Sequence, residues 1–347
     1  MVKNMYGKIA FLGSGETSLA GGRIFEELVK DLSHSPRIAI METTAGFELN
    51  SPLVAKKVGD YLQTRLQNYN PIIDIIPARK KDTPFSPDNP EILVPLLNAD
   101  LIFMGPGSPT YAVRQLENTL AWDAIRYRNR SGAALIFASA ATIAVSEHVL
   151  PVYEVFKVGE DTHTKPGLNL FDDCCLPISF IPHWNNTDGG ADVDTSRCFV
   201  GRERFNIWRQ QLPDDQLIIG LDEHTGVIFD FESSTCNISG VSSVTVIDQK
   251  GTEIYPAGET FSLHDLGDFC PAELEDGISA KALEFLRNAP EPEAAPVPSD
   301  DVMALIESRQ TARDSKDFAE SDRLRDQIAA LGWAVQDSPN GQELVKK

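Results

Sequence analysis

Four times before residue 140 this chain repeats one unit: a short, unbroken apolar run that ends in a loop of small residues. The runs are Lys8 to Leu12, Arg37 to Met41, Asp100 to Met104 and Gly132 to Ala138, and Pro71 to Pro77 adds a further strand of the same kind. A strand that is apolar at every position is buried on both faces, which is the pattern of a parallel sheet covered by helices on both sides. The intervening stretches supply those helices, expected over Arg23 to Leu32, Ser51 to Leu66 and Glu91 to Leu97. Parallel sheets bind ligands where loops leave the carboxyl ends of the strands. The loops at Gly13, Thr43, Gly107 and Ser139 share that edge.

Later strands are expected over Leu176 to Ile181, Gln216 to Leu221 and Gly226 to Phe231, with Ser242 to Asp248 as a hairpin or edge strand. The fold class is therefore α/β, a mostly parallel sheet with helices on both faces. Residues 290–299 (PEPEAAPVPS) have no apolar periodicity and read as a proline-rich linker. They separate a domain over 1–289 from a small helical hairpin over 300–347. Val302, Leu305 and Ile306 lie on one of its helices, and Leu324, Ile328 and Leu331 on the other.

Ser139 stands directly after a buried strand and before the helix-competent run that starts at Ala140. A serine on a tight strand-to-helix turn projects its hydroxyl from the sheet, with the first helical amides beside it. The usual form of this turn has small residues two before and two after the serine. Here those positions hold Phe137 and Ala141. A serine nucleophile needs a base and a group that orients the base. Of six histidines, His183 follows a predicted strand at the crevice edge, whereas His34 and His264 lie elsewhere and His148 and His163 follow no clear strand end. Glu223 occupies another strand end and is the orienting carboxylate, with Glu154 as the competing acid. The oxyanion donors would be the Ala140 amide and the Gly107 loop. The alternative for each of these residues is structural: a small-residue junction at Ser139, a hydrogen-bonded loop histidine at His183, a surface charge at Glu223 or Glu154.

The charge of −20 argues against a nucleic-acid surface, which needs concentrated Lys and Arg. No apolar run approaches the roughly 20 residues of a membrane span. The chain passes from a short polar lead into a strand, so a cytoplasmic protein is expected. Five cysteines, an odd number, suggest reduced thiols, and no ligand spacing suggests a metal. Gly13-Ser14-Gly15-Glu16 lacks the third glycine of a dinucleotide loop, so no cofactor is expected.

Gly105-Pro106-Gly107-Ser108, with Tyr111 and Leu116 after it, resembles the glycine loop of the cyanophycinase and aspartyl-dipeptidase (dipeptidase E) serine peptidases. Ser139-Ala140-Ala141, Pro182-His183-Trp184 and Gly220-Leu221-Asp222-Glu223 resemble that family's later motifs, in the same order, over about residues 7 to 250. The resemblance implies a class I glutamine-amidotransferase-like fold and hydrolysis of a peptide or isopeptide bond by a Ser-His-Glu triad. The substrate would be a small peptide or amino-acid derivative. Arg197 and Arg204, in the segment that resembles the family's Arg-rich stretch, would bind a substrate carboxylate through the planar guanidinium fork. The departures are Phe137 at the elbow, Pro106 in the loop and an insertion over Asn185 to Ser196. They leave open a second reading, a catalytically inactive protein of the same fold that binds or regulates a partner, and a homo-oligomer in either case.

The tail has a resemblance of its own. Leu305-Ile306-Glu307-x-Arg309, Lys316-Asp317-Phe318-Ala319 and Asp337-Ser338-Pro339-x-Gly341 are similar to the C-terminal helices of cysteinyl-tRNA synthetases, over about residues 301 to 342. The adenylate-forming motifs of those enzymes are absent from the sequence, which excludes aminoacylation. Acidic and basic residues interleave along the tail, favouring a docking or dimerisation hairpin over a tRNA-binding one.

Overall fold

The computed structural model describes residues 6–288, 298–338 and 341–346. The chain forms two compact units, Met1–Pro290 and Glu291–Lys347. Most of the expected linker falls within 289–297, outside the described residues.

In the first unit β1 (Ile9–Leu12), β2 (Arg37–Met41), β3 (Ile72–Ile76), β4 (Leu101–Met104) and β5 (Ala134–Ala138) run parallel in the spatial order β1-β5-β4-β2-β3. Alternation along each strand feeds two cores. Ile9, Phe11, Met41, Met104, Leu135 and Phe137 belong to one. Ala10, Leu12, Ile40, Phe103, Ile136 and Ala138 belong to the other, which the helices Leu19–Val29 and Ser51–Arg65 cover with Ile24, Phe25, Val58 and Leu62.

Three further strands extend this sheet beyond β1, and four make a separate one. A short ribbon, β6 (His148–Val149) with β7 (Lys165–Pro166), precedes them. β8 (Ile178–Ile181) and β9 (Leu217–Leu221) pair in parallel, and β12 (Ser243–Ile247) and β13 (Thr252–Pro256) complete a four-stranded sheet in the order β13-β12-β9-β8. β10 (Thr225–Asp230), β11 (Thr235–Gly240) and β14 (Thr260–Ser262) add antiparallel to the first sheet, β10 directly on β1. The expectation that His183 and Glu223 end strands of the same sheet as Ser139 is corrected here. β10 occupies the edge of β1, so β8 and β9 pair with each other and stack their apolar side chains, Phe180 and Ile219 among them, against the first core. The chain crosses from one sheet to the other in the turn Asp222–His224, closed by Thr225 N–H donating to Asp222 O at 3.2 Å.

A second correction concerns cysteine. Cys175 and Cys270 form a disulfide with Cα atoms 5.7 Å apart, while Cys174, Cys198 and Cys236 are free and buried. Both bonded cysteines lie at exposed loop positions, brought together where Cys270 N–H donates to Cys174 O at 3.0 Å. A pairing 95 residues apart leaves no spacing signal to read.

The second unit contains the helices Asp300–Asp314 and Phe318–Ala330, followed by an antiparallel hairpin of β15 (Trp333–Ser338) and β16 (Gly341–Lys346). The hairpin is more than the short tail expected from sequence. Its Trp333 joins Val302 and Ile328 in a small core of its own.

Candidate active site

β5 ends at Ala138 and the helix Ala140–Ala144 begins one residue later, leaving Ser139 alone to make the turn. Its φ of 53° and ψ of −114° lie where non-glycine residues are strained, and such strain persists only where the surroundings over-determine it. Here Ser139 N–H donates to Leu12 O at 3.1 Å, and Ile143 N–H donates to Ser139 O at 3.2 Å. Thr142 Oγ1 donates to Phe137 O at 2.8 Å, tying the following helix back to the strand. Phe137 does not obstruct this turn. Its side chain points down into the core, 1% exposed, and stacks on Phe11 with centroids 5.7 Å apart.

The second sheet brings the partners. His183 follows β8, and its backbone is fixed by His183 N–H donating to Gly13 O at 3.3 Å. Ser139 Oγ lies 2.8 Å from His183 Nε2. On the other side of the ring, His183 Nδ1 lies 3.0 Å from Glu223 Oε1. An ionised carboxylate only accepts, so Nδ1 carries the proton and Nε2 is left to accept from the serine hydroxyl. The three side chains thus form one hydrogen-bonded chain.

Glu223 is braced from two directions that sequence reasoning missed. Asn186, itself buried, donates Nδ2–H to Glu223 Oε1 at 2.9 Å, and Glu223 N–H donates to Asn185 Oδ1 at 2.8 Å. Behind it, buried Asp222 accepts from the Ser242 and Ser243 hydroxyls at 2.6 and 2.8 Å. Burial pushes the Glu223 carboxyl upward. The hydrogen bonds from Asn186 and His183, with the nearby His183 and His224, outweigh it and hold the group below its ordinary value. The only sequence signal for this brace is the tandem asparagine one residue past Trp184, inside what reads as an insertion.

Behind His183 the chain makes a left-handed turn through Arg197, Cys198 and Phe199, with φ values of 58°, 61° and 71°. Each such residue costs roughly 1–2 kcal/mol. The turn is held by Arg197 N–H donating to Trp184 O at 3.0 Å and Cys198 N–H donating to His183 O at 3.2 Å. It places the Phe199 ring 5.4 Å from the imidazole. Burial pushes the Cys198 thiol up to about 12, helped by the charge of Glu223.

Gly107 has a φ of 147°, and a Cβ there would meet Thr44 O at 2.1 Å, so only glycine fits. Ala140 is the first residue of its helix, and its amide has no acceptor within the helix. Glu154 is held elsewhere than at His183, with Lys165 Nζ 3.2 Å from its Oε1 and Thr110 beside it. The two arginines expected to serve the substrate are not at the serine either. Arg197 lies over the Trp184 ring at 3.5 Å and donates to Trp184 O at 2.7 Å, beside a cavity of about 370 Å³ whose lining includes neither Ser139 nor His183. Arg204 is exposed on the helix Gly201–Arg209. The insertion puts Arg197 there, because its turn is pinned to the Trp184 carbonyl. His34 pairs with Asp100 at 3.0 Å, and His163 lies by the Asp161 carbonyl at 2.9 Å.

Among solved structures, the first unit is similar to a peptidase from an acI-B1 Actinobacterium, with a TM-score of 0.60 and 23% identity over 75% of this chain and 98% of that one. That likeness establishes a shared fold. The tail matches the family model of the cysteinyl-tRNA ligase anticodon binding domain over residues 295–344. Among curated proteins, the cysteine–tRNA ligase of Bradyrhizobium diazoefficiens is 52% identical over 48 residues, 14% of this chain and 10% of that protein. The cysteine–tRNA ligase of Afipia carboxidovorans is 32% identical over 145 residues, 37% of this chain and 30% of that protein. The chain therefore spans less than a third of the length of these relatives. It is a hybrid: a unit with a peptidase fold, followed by a ligase-like tail.

Proposed function

We propose that the first unit is a serine hydrolase of the peptidase type, acting on a small peptide or amino-acid derivative. Ser139 Oγ attacks the carbonyl carbon while its proton passes to His183 Nε2. Glu223 holds the imidazole in the required tautomer and stabilises the imidazolium that forms. The Gly107 and Ala140 amides face the developing oxyanion, the role for which the close-approaching glycine and the uncommitted helical N–H suit them. His183 then returns the proton to the leaving amine, and a water activated by the same imidazole cleaves the acyl-enzyme.

The observation that carries this reading is the continuous Ser139–His183–Glu223 hydrogen-bonded chain, at 2.8 and 3.0 Å, built on a strained elbow. A purely structural serine gives no reason to retain that strain. Treatment with a fluorophosphonate is expected to label the protein, and Ser139→Ala to abolish the label. A native protein that takes up no fluorophosphonate at neutral pH refutes the proposal and favours the non-catalytic reading, in which the ligase-like tail is the part that meets a partner.

A further inference from the structure

Resting on the hydrolase reading, we propose that this site takes substrates with a bulky apolar side chain beside the scissile carbonyl. Phe199 and Phe156 would form one flank of its subsite and Phe47 the other. The ring of Phe199, 5.4 Å from the His183 imidazole, is the start of an apolar path outward from the reacting atoms. Phe156 follows, its ring 5.7 Å from Phe199, and is 41% exposed; Val158, two residues on, is 73% exposed. From the oxyanion side, Ser108 caps the helix that carries Tyr111, and the Tyr111 ring lies 5.1 Å from Phe47, which is 49% exposed.

The two flanks belong to one mouth. Glu154 of the first flank lies beside Thr110 of the second, and the Tyr153 hydroxyl feels the charge of Glu48. Exposed aromatic groups that line up with a catalytic imidazole are suited to desolvating an apolar side chain.

The charges at this mouth disfavour an acidic side chain. Glu48 and Glu223 supply negative potential, Glu154 being offset by Lys165, and like charges in a partly dry crevice repel. The nearby cations are already engaged: Lys165 with Glu154, Lys157 over the Tyr153 ring at 4.7 Å and Arg114 over the Tyr111 ring at 5.2 Å. Arg197 is committed to Trp184. Among the described residues, each of these four cations already has a partner, which removes the support for the carboxylate preference implied by the sequence resemblance.

The test uses four matched aminophosphonate diphenyl esters bearing a Phe, Leu, Asp or Lys side chain. Ser139 Oγ displaces one phenoxide from phosphorus, its proton passing to His183, so the rate of modification reports side-chain fit directly. The Phe and Leu esters are expected to react about tenfold or more faster than the Asp ester. Phe156→Lys should shrink that ratio about tenfold, and Ile72→Ala, an exposed apolar change on β3, should leave it unchanged. An Asp ester that reacts as fast as the Phe ester overturns the inference. So does a set of four unreactive esters on a protein that fluorophosphonate still labels at Ser139, and that outcome leaves the hydrolase reading standing. Absence of fluorophosphonate labelling removes both. If Phe156→Lys instead only changes the oligomeric state, with the rate ratio intact, the patch is an association surface and the inference falls.

Discussion

The two units of this chain carry their likeness to known proteins in opposite ways. The first shares a fold with a solved peptidase at low identity, whereas the tail shares half its residues with ligases over a short stretch. The difference follows from how each is held together. In the first unit, two extensive apolar cores flank the parallel sheet, and volume and alternation specify them without demanding particular side chains. Identity is demanded only at a few points, such as Gly107 against Thr44 or Ser139 on its turn. Among its described residues the tail buries only five apolar side chains, Val302, Ala312, Leu324, Ile328 and Trp333. Its centre also holds Arg309, 0% exposed and hydrogen-bonded to Gln342, which in turn donates to Gln310 Oε1 at 2.6 Å. A polar network of that kind tolerates few substitutions, because each group left unpaired is costly.

Changes at polar positions should therefore act locally, and in different currencies, in the two units. The largest effect is expected for Glu223→Gln, which keeps the shape but lets the amide favour the wrong imidazole tautomer. Fluorophosphonate labelling should slow by roughly three orders of magnitude, with the melting temperature of the first unit little changed. Arg309→Ala comes next. Loss of the buried guanidinium leaves the Gln342 amide oxygen without its donor and should cost the tail about 1.5–3 kcal/mol, while labelling of Ser139 continues at the native rate. Hydrogen exchange resolved by peptide distinguishes the two units. Simultaneous loss of protection in the first unit would break the comparison.

A smaller effect is expected for Asn186→Leu, which removes one hydrogen bond to a charged group and should slow labelling roughly tenfold. It also has a signature in pH. Glu223 is held below its ordinary value of 4.5, so its contribution to stability is present above that value and is lost as pH falls through the lower folded value. Without Asn186 the folded value rises, and the acid loss of stability should begin at higher pH. Thermal unfolding followed between about pH 3 and 6 would show it. An acid limb identical to the native one would mean that Asn186 does not position the carboxylate. The smallest effect is expected from truncation after Asn288, which should change the labelling rate by less than about twofold, since each unit has its own core.

Much of the first sheet was legible from sequence, because a strand buried on both faces is apolar at every position and leaves an unbroken run. Ser139, His183 and Glu223 were legible as strand-end residues for the same reason. What the runs did not contain was which sheet each strand joins. β8 and β9 read just like β4 and β5, and the decision lies with β10 taking the edge of β1. The loops were harder. The placement of Arg197 depends on a left-handed turn through Arg197, Cys198 and Phe199, made by residues with no preference for it, whose first two amides are held by carbonyls 13 or more residues earlier. No local pattern encodes such a turn. Apart from the tandem asparagine, Asn186 leaves no sequence signal because it sits in an apparent insertion, where side-chain pairing across the crossover turn has no periodicity to reveal it.

The bond between Cys175 and Cys270 closes a loop that contains His183, Asn186 and Glu223 but excludes Ser139. In the unfolded chain a link across 95 residues removes conformational freedom equivalent to roughly 4–5 kcal/mol on the chain-entropy view. That restriction applies only to the span that contains His183 and Glu223. The elbow must find its place through its own sheet. His183 and Glu223 thus arrive tethered and Ser139 does not, and the tether lasts only where the surroundings keep thiols oxidised. Under reduction, the geometry around Ser139 rests on non-covalent packing alone.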